Sequence, residues 1–163
     1  MFSSLRLRLA RPTPIAALRA GAVVVEGRIV CDATLALSFA PLPAVAAEWW
    51  IESHRRVAAG RRRPMWVAID GGARAVDCWL EDATGRVRVA MDPDSLRVLA
   101  PRHDTGPLRD RRGTRWVARW LASGDRVRVR GLVEEGADGL VLAGTPERPL
   151  EILLRLRSAI EPR

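Results

Sequence analysis

Few side chains in this sequence could act as nucleophiles, bases or metal ligands, and they lie far apart. The histidines are His54 and His103, and the cysteines are Cys31 and Cys78. No nucleophile motif adjoins either histidine, and no C-x-x-C spacing indicates a zinc site. The glycine pair at 71–72 lacks the lysine and the following helix of a phosphate-binding loop. We therefore expect no catalytic activity, no cofactor and no metal ion.

Carboxylates leave two weaker alternatives open. An enzyme would need a cleft that brings His54 close to a carboxylate. A cation could bind at Glu81 and Asp82, but Asp82 and Gly85 are residue types that tight turns favour, so the turn explains them without an ion. The four carboxylates considered for the enzyme alternative are Asp70, Asp77, Glu81 and Asp82.

Both cysteines lie inside apolar runs that indicate strands, so we expect them to be small buried side chains. A disulfide between Cys31 and Cys78 would need an oxidising compartment, and the sequence leaves that pairing open. Because there is neither a cysteine framework nor a clear targeting signal, we expect a cytoplasmic protein.

Tryptophan is the residue type best suited to binding in this chain, which has six of them. Tryptophan is enriched among the residues that dominate protein interfaces. Trp49 and Trp50 are adjacent, and side chains alternate along a strand, so the pair cannot point entirely to the core. We predict that one of these two residues anchors a protein partner, and Trp79 is a third candidate.

The charge of the chain favours a second class of function. The formal net charge is +8, and all 27 basic residues are arginine. An arginine-bearing strand face beside an aromatic residue is typical of proteins that bind single-stranded nucleic acid. However, the chain lacks lysine, asparagine, glutamine and tyrosine, which is typical of a GC-rich bacterial genome and favours a compositional origin for the arginines. The residues predicted to bind nucleic acid in this alternative are Arg86, Arg88, Arg126, Arg128 and Arg130.

Alternating apolar and charged residues predict the strands that position these side chains. In residues 86–91 the apolar side chains share one face and the arginines share the other, and residues 126–133 repeat the pattern. Residues 74–81 and 86–91 form the clearest hairpin, joined by a turn at 82–85. Further strands are predicted at residues 22–30, with a bulge or bend at Gly27, and at residues 46–57, 65–69, 139–143 and 150–156.

One helix is predicted among these strands, at residues 114–122. Its apolar side chains recur at helical spacing, with Trp116 and Trp120 four residues apart and expected to seal the helix onto the strands. Thr114 and Gly124 are suited to cap the two ends. Loops or turns are predicted at residues 36–43, 59–64, 70–72 and 93–113.

These elements predict one domain, a mainly β OB-like small barrel of five or more strands with one short inserted α-helix. We expect an N-terminal arm at residues 1–20, either an edge strand or disordered, the barrel at 21–157 and a C-terminal tail at 158–163. No apolar run is long enough to span a membrane, so no membrane span is expected in this chain.

Five segments together resemble the OB-like domain of the GIDE family, which occurs in mitochondrial-type E3 ubiquitin ligases and their prokaryotic relatives. The resemblance covers about residues 21–157. Its most specific part is residues 80–89, in which Leu80, Glu81, Asp82 and Gly85 surround the predicted turn. The other segments are residues 26–30, 40–42, 49–50 and 124–131, the last of which begins with Gly124 and Asp125.

The sequence also departs from the GIDE pattern. Residues 43–47 replace the small-residue turn, the cysteine and the aromatic residue of the family, and Trp49 and Trp50 supply the aromatic side chains. The transmembrane helices common in the family and the zinc-binding RING of its ligases are not present in this chain. The resemblance therefore implies a RING-less protein-interaction or adaptor module, a subunit of a larger bacterial assembly, rather than a ligase.

Overall fold

The computed structural model describes residues 2–55, 65–99, 102–108 and 113–155. These residues form a mainly β protein, as predicted. One α-helix, α1 (Phe2–Leu9), and two single-turn 3₁₀ helices, Ile15–Ala17 and Pro93–Ser95, accompany the strands of the described ranges. The strands are β1 (Gly21–Val30), β2 (Ala44–Arg55), β3 (Met65–Ala75), β4 (Cys78–Asp82), β5 (Gly85–Val89), β6 (Leu96–Leu99), β7 (Arg102–Pro107), β8 (Thr114–Ala122), β9 (Arg126–Gly136), β10 (Gly139–Ala143) and β11 (Leu150–Leu154).

Five strands close into a barrel, in the order β1, β4, β5, β10, β9 and back to β1. The pair β5 and β10 is parallel, and the other four pairs are antiparallel. Numbered by chain position within the barrel, the strands follow the order 1-2-3-5-4-1, which is the order of an OB-like barrel. The predicted fold class is confirmed.

The barrel interior is filled by the apolar side chains that alternate with the arginines. Val87 and Val89 of β5 are 3% and 1% exposed, whereas Arg86 and Arg88 point to solvent. Each fully buried aliphatic side chain contributes roughly 1.5–3 kcal/mol through removal from water. β1 approaches β4 closely at Gly27, where a Cβ atom would collide with the carbonyl oxygen of Glu81, so this position requires glycine.

Strand β9 is the longest barrel strand and joins the barrel to a second group of strands. Along one edge it pairs with β1, and along the other edge it pairs first with β11 and then with β10. Gly131 lies where the second edge changes partner, and a Cβ atom there would lie 2.7 Å from both the carbonyl oxygen of Ala143 and Cδ1 of Leu150. β6 extends the sheet beyond β11 in parallel.

Two hairpins inserted in the barrel form a separate four-stranded sheet. β2 and β3 lie between β1 and β4 in the chain, and β7 and β8 lie between β5 and β9. These strands pair antiparallel in the order β3, β2, β8, β7, so each hairpin contributes two neighbouring strands. We call this the inserted sheet.

The predicted helix at residues 114–122 is wrong, because these residues form β8. The helical spacing of its apolar residues is equally a two-sided strand pattern, since Val117 and Leu121 lie on one face and Trp116 and Trp120 on the other. β8 pairs with β2 on one side and β7 on the other, and these pairings override the local pattern. Thr114 begins the strand, and Gly124, with φ of +90°, forms the turn after it.

Two predicted irregular segments are also partly wrong. The turn expected at residues 70–72 lies within β3, and the long loop expected at 93–113 contains β6 and β7. Both segments contain glycine or proline residues, but pairing holds them in strands: β3 pairs with β2, β7 with β8 and β6 with β11. The turn predicted at 59–64 and the tail at 158–163 lie outside the described residues.

The N-terminal arm is not an edge strand, because it begins with α1 and docks on the barrel. Leu7 is fully buried, and Ile15 and Leu18 join the barrel core. Arg128 of β9 donates hydrogen bonds to the carbonyl oxygens at the end of α1, including Leu7 at 3.2 Å. Within the described ranges, no helix has the length and apolar character needed to cross a bilayer.

Candidate binding surface

The loop at residues 35–42 covers one face of the inserted sheet. Phe39 packs on Trp49 and Trp116, with ring centroids 5.7 Å and 5.9 Å apart, and Trp120 belongs to the same small apolar cluster. Trp49 therefore lies on the covered face. Of the adjacent pair, Trp50 is the residue that projects from the other face.

The open face of the inserted sheet carries two tryptophans that are each stacked by an arginine. The guanidinium carbon of Arg119 lies 5.1 Å from the ring centroid of Trp50, and that of Arg115 lies 4.2 Å from Trp66. His54 meets the edge of the Trp66 ring at 5.2 Å. We call these residues, with Glu52, the tryptophan–arginine face.

Glu52 holds the two stacks in place. Its Oε1 atom accepts a hydrogen bond of 3.1 Å from Nε1 of Trp50, and its Oε2 atom accepts one of 2.6 Å from Nε of Arg115. One carboxylate therefore fixes an aromatic ring on its own strand and a cation on the neighbouring strand. Contacts of this kind order the side chains before a partner arrives, which lowers the entropy cost of binding.

Strand β3 borders this face. It is an edge strand of the inserted sheet, and its side chains Met65, Trp66 and Ile69 are 56%, 37% and 43% exposed. An edge strand presents backbone N–H and C=O groups that can pair with another chain. The face therefore combines tryptophan rings and cations with a strand edge, whereas Met65, which pairs with Arg55, lies on the opposite side of β3 from Trp66.

Two arginine-rich connections of the sequence are joined to strands at the same end of the inserted sheet. β2 ends and β3 begins there, and β7 ends and β8 begins there, because Ser53 pairs with both Val67 and Thr114. The two connections attached at this end, residues 56–64 and 109–112, contain seven arginines and one aspartate. Much of the net charge of +8 is therefore attached at one end of the sheet.

Trp79, the third predicted contact residue, lies elsewhere. It projects outward from β4 on the barrel, is 36% exposed and is stacked by Arg86, whose guanidinium carbon lies 4.5 Å from the ring centroid. The structure therefore places Trp49, Trp50 and Trp79 on three different surfaces.

The five arginines predicted to bind nucleic acid lie on two barrel strands that β10 separates, so they do not form one continuous row. Arg88 pairs with Asp77 at 2.7 Å, and Arg128 pairs with Glu26 at 2.5 Å. Arg130 pairs with Glu151 at 2.5 Å. Arg86 and Arg126 are exposed, so most of this set is engaged in ion pairs within the chain.

The residues of the β4–β5 hairpin and its turn have structural contacts. Leu80 is buried in the barrel core. The carboxylate of Asp82 accepts hydrogen bonds from the backbone N–H groups of Ile15, Thr84 and Gly85 and from the Thr84 hydroxyl. Burial opposes the charged form of Asp82, but these hydrogen bonds outweigh it and lower the pKa of the carboxyl. Glu81 is half-buried and pairs in register with Arg86 across the hairpin.

The turn that precedes β9 is fixed in a similar way. Asp125 is buried and accepts a hydrogen bond of 2.9 Å from the backbone N–H of Ala122. Arg102 of β7 forms an ion pair with the same carboxylate. The hydrogen bond between Arg102 and Asp125 raises the pKa of the Arg102 guanidinium. Gly124 and Asp125 thus connect the inserted sheet to the barrel.

The residues considered for chemistry are dispersed. His54 lies on the open face of the inserted sheet, whereas Asp70 pairs with Ile51 on the covered face. Asp77, Glu81 and Asp82 lie on or beside β4 of the barrel. Cys31 and Cys78 are both free thiols. Among the described residues, no three histidine, cysteine or acidic side chains come together as metal ligands.

Comparison of this chain with protein-family models, with curated proteins and with solved structures gave no match.

Sequence reasoning missed three of the residues that build the tryptophan–arginine face: Trp66, Arg115 and Arg119. The helix predicted at 114–122 hid the role of Arg115 and Arg119, because a helix would not pair with the strands that carry Trp50 and Trp66. In a strand they share a face with Val117, and this alternation was the available signal. Trp66 lies in a strand that was predicted, but its place at a sheet edge depends on a pairing order that the sequence does not display.

Proposed function

We propose that this protein is a non-catalytic protein-interaction module with an OB-like barrel as its scaffold, of the kind that the GIDE resemblance implies. Its contact surface is the tryptophan–arginine face. The observation that carries the proposal is the pair of stacks, Trp50 with Arg119 and Trp66 with Arg115, on the open face of a sheet that the barrel holds in place. Tryptophan and arginine are the residue types most enriched among interface hot spots.

The partner that fits this surface is an extended polypeptide segment with apolar and acidic side chains. The outer edge of β3, which pairs with no other strand among the described residues, offers backbone groups for an added strand. Met65 and Ile69, both exposed on β3, provide apolar contacts. The positive charge of the chain favours acidic side chains on the partner and would accelerate its association.

The proposal is tested by affinity capture from the native host with quantification of bound proteins. Trp66→Ala is compared with Trp79→Ala, a matched control, because both tryptophans are about equally exposed, at 37% and 36%, and both are stacked by an arginine. Loss of a hot-spot tryptophan costs at least about 2 kcal/mol, or roughly 30-fold in affinity. We expect Trp66→Ala to lose a captured protein that Trp79→Ala retains, whereas equal capture by both variants would refute the assignment of this face.

A second candidate function is binding of single-stranded nucleic acid on the same face. Exposed tryptophans beside arginines are the stacking and charge elements of such sites, and the arginine-rich connections attached at this end of the sheet favour it. Fluorescence anisotropy with a labelled oligonucleotide separates the two classes. Nucleic-acid binding must weaken steeply between about 50 and 200 mM salt, because each phosphate contact releases counterions. Tight, salt-sensitive binding that Trp66→Ala abolishes would favour nucleic-acid binding over protein binding as the function of this face.

A further inference from the structure

The two cysteines lie where the chain leaves the barrel for the β2–β3 hairpin and where it returns. Cys31 follows the end of β1, and Cys78 begins β4. β1 and β4 pair antiparallel, and the last residues in register are Val30 and Trp79. One step further along this register places Cys31 opposite Cys78.

Backbone hydrogen bonds show whether Cys31 and Cys78 form a hydrogen-bonded or a non-hydrogen-bonded pair of the antiparallel ladder. The N–H group of Ile29 donates to the carbonyl of Asp125 at 2.9 Å, so Ile29 directs its backbone groups away from β4. Cys31 is two residues further and does the same, since its N–H donates to Oγ of Ser123 at 3.0 Å. Cys31 and Cys78 thus occupy a non-hydrogen-bonded position, where opposite Cα atoms are about 4.5 Å apart. Disulfides join Cα atoms about 4.4–6.8 Å apart.

The side chains of the two cysteines also point the same way. Opposite residues of an antiparallel pair project to the same face of the sheet. Cys78 is 4% exposed within the barrel core, and Cys31 packs against that core while remaining half-buried. Sγ of Cys31 lies 3.5 Å from the carbonyl oxygen of Asp77, the residue that precedes Cys78.

We propose that Cys31 and Cys78 form a reversible disulfide that ties together the two ends of the inserted β2–β3 hairpin at the barrel. The bond would close a loop that contains both β2 and β3. It would therefore restrict motion of the inserted sheet relative to the barrel. This inference stands on the register of β1 and β4 and does not depend on what the tryptophan–arginine face binds.

The two thiols differ in a way that sets the order of reaction. Cys31 is half-buried, whereas Cys78 is buried, and this burial raises the pKa of Cys78 to about 12, with smaller contributions from Cys31 and Asp77. With glutathione disulfide as oxidant, the Cys31 thiolate attacks first and releases one glutathione thiolate. Cys78 then loses its proton to solvent and attacks the Cys31 sulfur, which expels the second glutathione thiolate. Two protein thiols are oxidised to one disulfide, and one glutathione disulfide is reduced to two glutathiones.

The test uses the purified full chain in buffers of increasing ratio of oxidised to reduced glutathione. Samples are quenched in denaturant with a maleimide, and the intact mass counts free thiols, lost hydrogens and glutathione adducts. We expect both labels to disappear together, with a loss of two hydrogens, no retained glutathione and full reversal by dithiothreitol. Cys78→Ser should instead retain one glutathione on Cys31, and Cys31→Ser should keep Cys78 labelled.

Any of three results would overturn the inference. In the first, the wild-type chain keeps glutathione on Cys31 while Cys78 remains open to labelling. In the second, both thiols stay free in the most oxidising buffer, and in the third, the oxidised product is a disulfide-linked dimer. A melting temperature that rises on oxidation of the wild-type chain, but not of Cys78→Ser, would further show that the bond ties the hairpin ends in the folded protein.

Discussion

Arginine performs two different tasks in this protein, and composition alone does not distinguish them. Arg128 is 8% exposed, and it donates to the carbonyl groups that end α1 and to the carboxylate of Glu26. Arg115 and Arg119 instead lie over tryptophan rings on an open sheet face. A guanidinium group suits both tasks because it is planar, permanently charged and able to donate in several directions. Location decides which arginines can meet a partner.

Asp82 supports the first prediction at the residue scale. Replacement by asparagine removes the charge that strengthens its hydrogen bonds to Ile15, Thr84 and Gly85. We expect Asp82→Asn to reduce the free energy of unfolding by about 1–2 kcal/mol at pH 7. Urea unfolding measures this difference, with Asp138→Asn in the exposed turn between β9 and β10 as the control.

The effect of Asp82 should depend on pH in a defined direction. Its pKa is lower in the folded protein than its ordinary value of 3.8, so the folded state binds the proton less readily than the unfolded state. The stabilisation is therefore complete above that ordinary value and is lost as the pH falls through the folded pKa. The difference between wild type and Asp82→Asn should shrink in acid. A difference that grows below about pH 4 would contradict this account.

At the scale of elements, residues 114–122 show what the sequence reveals and what it does not. The barrel strands β5 and β9 were predicted because valines alternate with arginines in each, and β1 was predicted because it is rich in valine and isoleucine. β8 has partly buried residues on both faces, since it lies centrally in the inserted sheet, and its pattern therefore fits helix and strand equally. Its partner β2 lies far away in the chain, and the local propensity of residues 114–122 contains no information about that pairing.

The candidate surface was predictable to a similar, partial extent. Adjacency of Trp49 and Trp50 correctly implied that they face opposite sides, but it could not tell which side the loop at residues 35–42 would cover. The turn at residues 82–85 was recognisable because turn chemistry is local. The stacks over Trp50 and Trp66 depend on pairing between different hairpins, and for this reason they became visible only in the folded chain.

Gly131 provides a prediction at the element scale. A Cβ atom at this position would lie 2.7 Å from the carbonyl oxygen of Ala143, which is backbone and cannot rotate away. We expect Gly131→Ala to separate β9 from β10 or β11 locally and to cost about 1–3 kcal/mol of stability. Thermal and urea unfolding of the variant measure this cost.

Gly136→Ala on the same strand is the comparison. A Cβ atom there would meet Cγ2 of Val141 at 2.9 Å, the end of a side chain, so a smaller loss is expected. Equal stability of Gly131→Ala and wild type would show that the changeover between β10 and β11 does not need close backbone approach.

At the scale of the whole molecule, an OB-like barrel supports a sheet made from two separate insertions. The β2–β3 hairpin leaves and re-enters the barrel between β1 and β4, and β7–β8 does so between β5 and β9. Neither hairpin alone forms the open face, because Trp50 and Trp66 come from one and Arg115 and Arg119 from the other. A surface assembled in this way exists only when the whole domain is folded.

The most direct test of the binding surface is hydrogen–deuterium exchange of the full chain, alone and with the protein captured by the wild type but not by Trp66→Ala. The account predicts protection of backbone amides in Met65–Ala75 of the edge strand β3, with weaker protection in the neighbouring β2. Exchange in β4 and β5 around Trp79 should remain unchanged. Protection confined to β4 and β5, with β3 exchanging as in the free protein, would contradict the assignment of the tryptophan–arginine face.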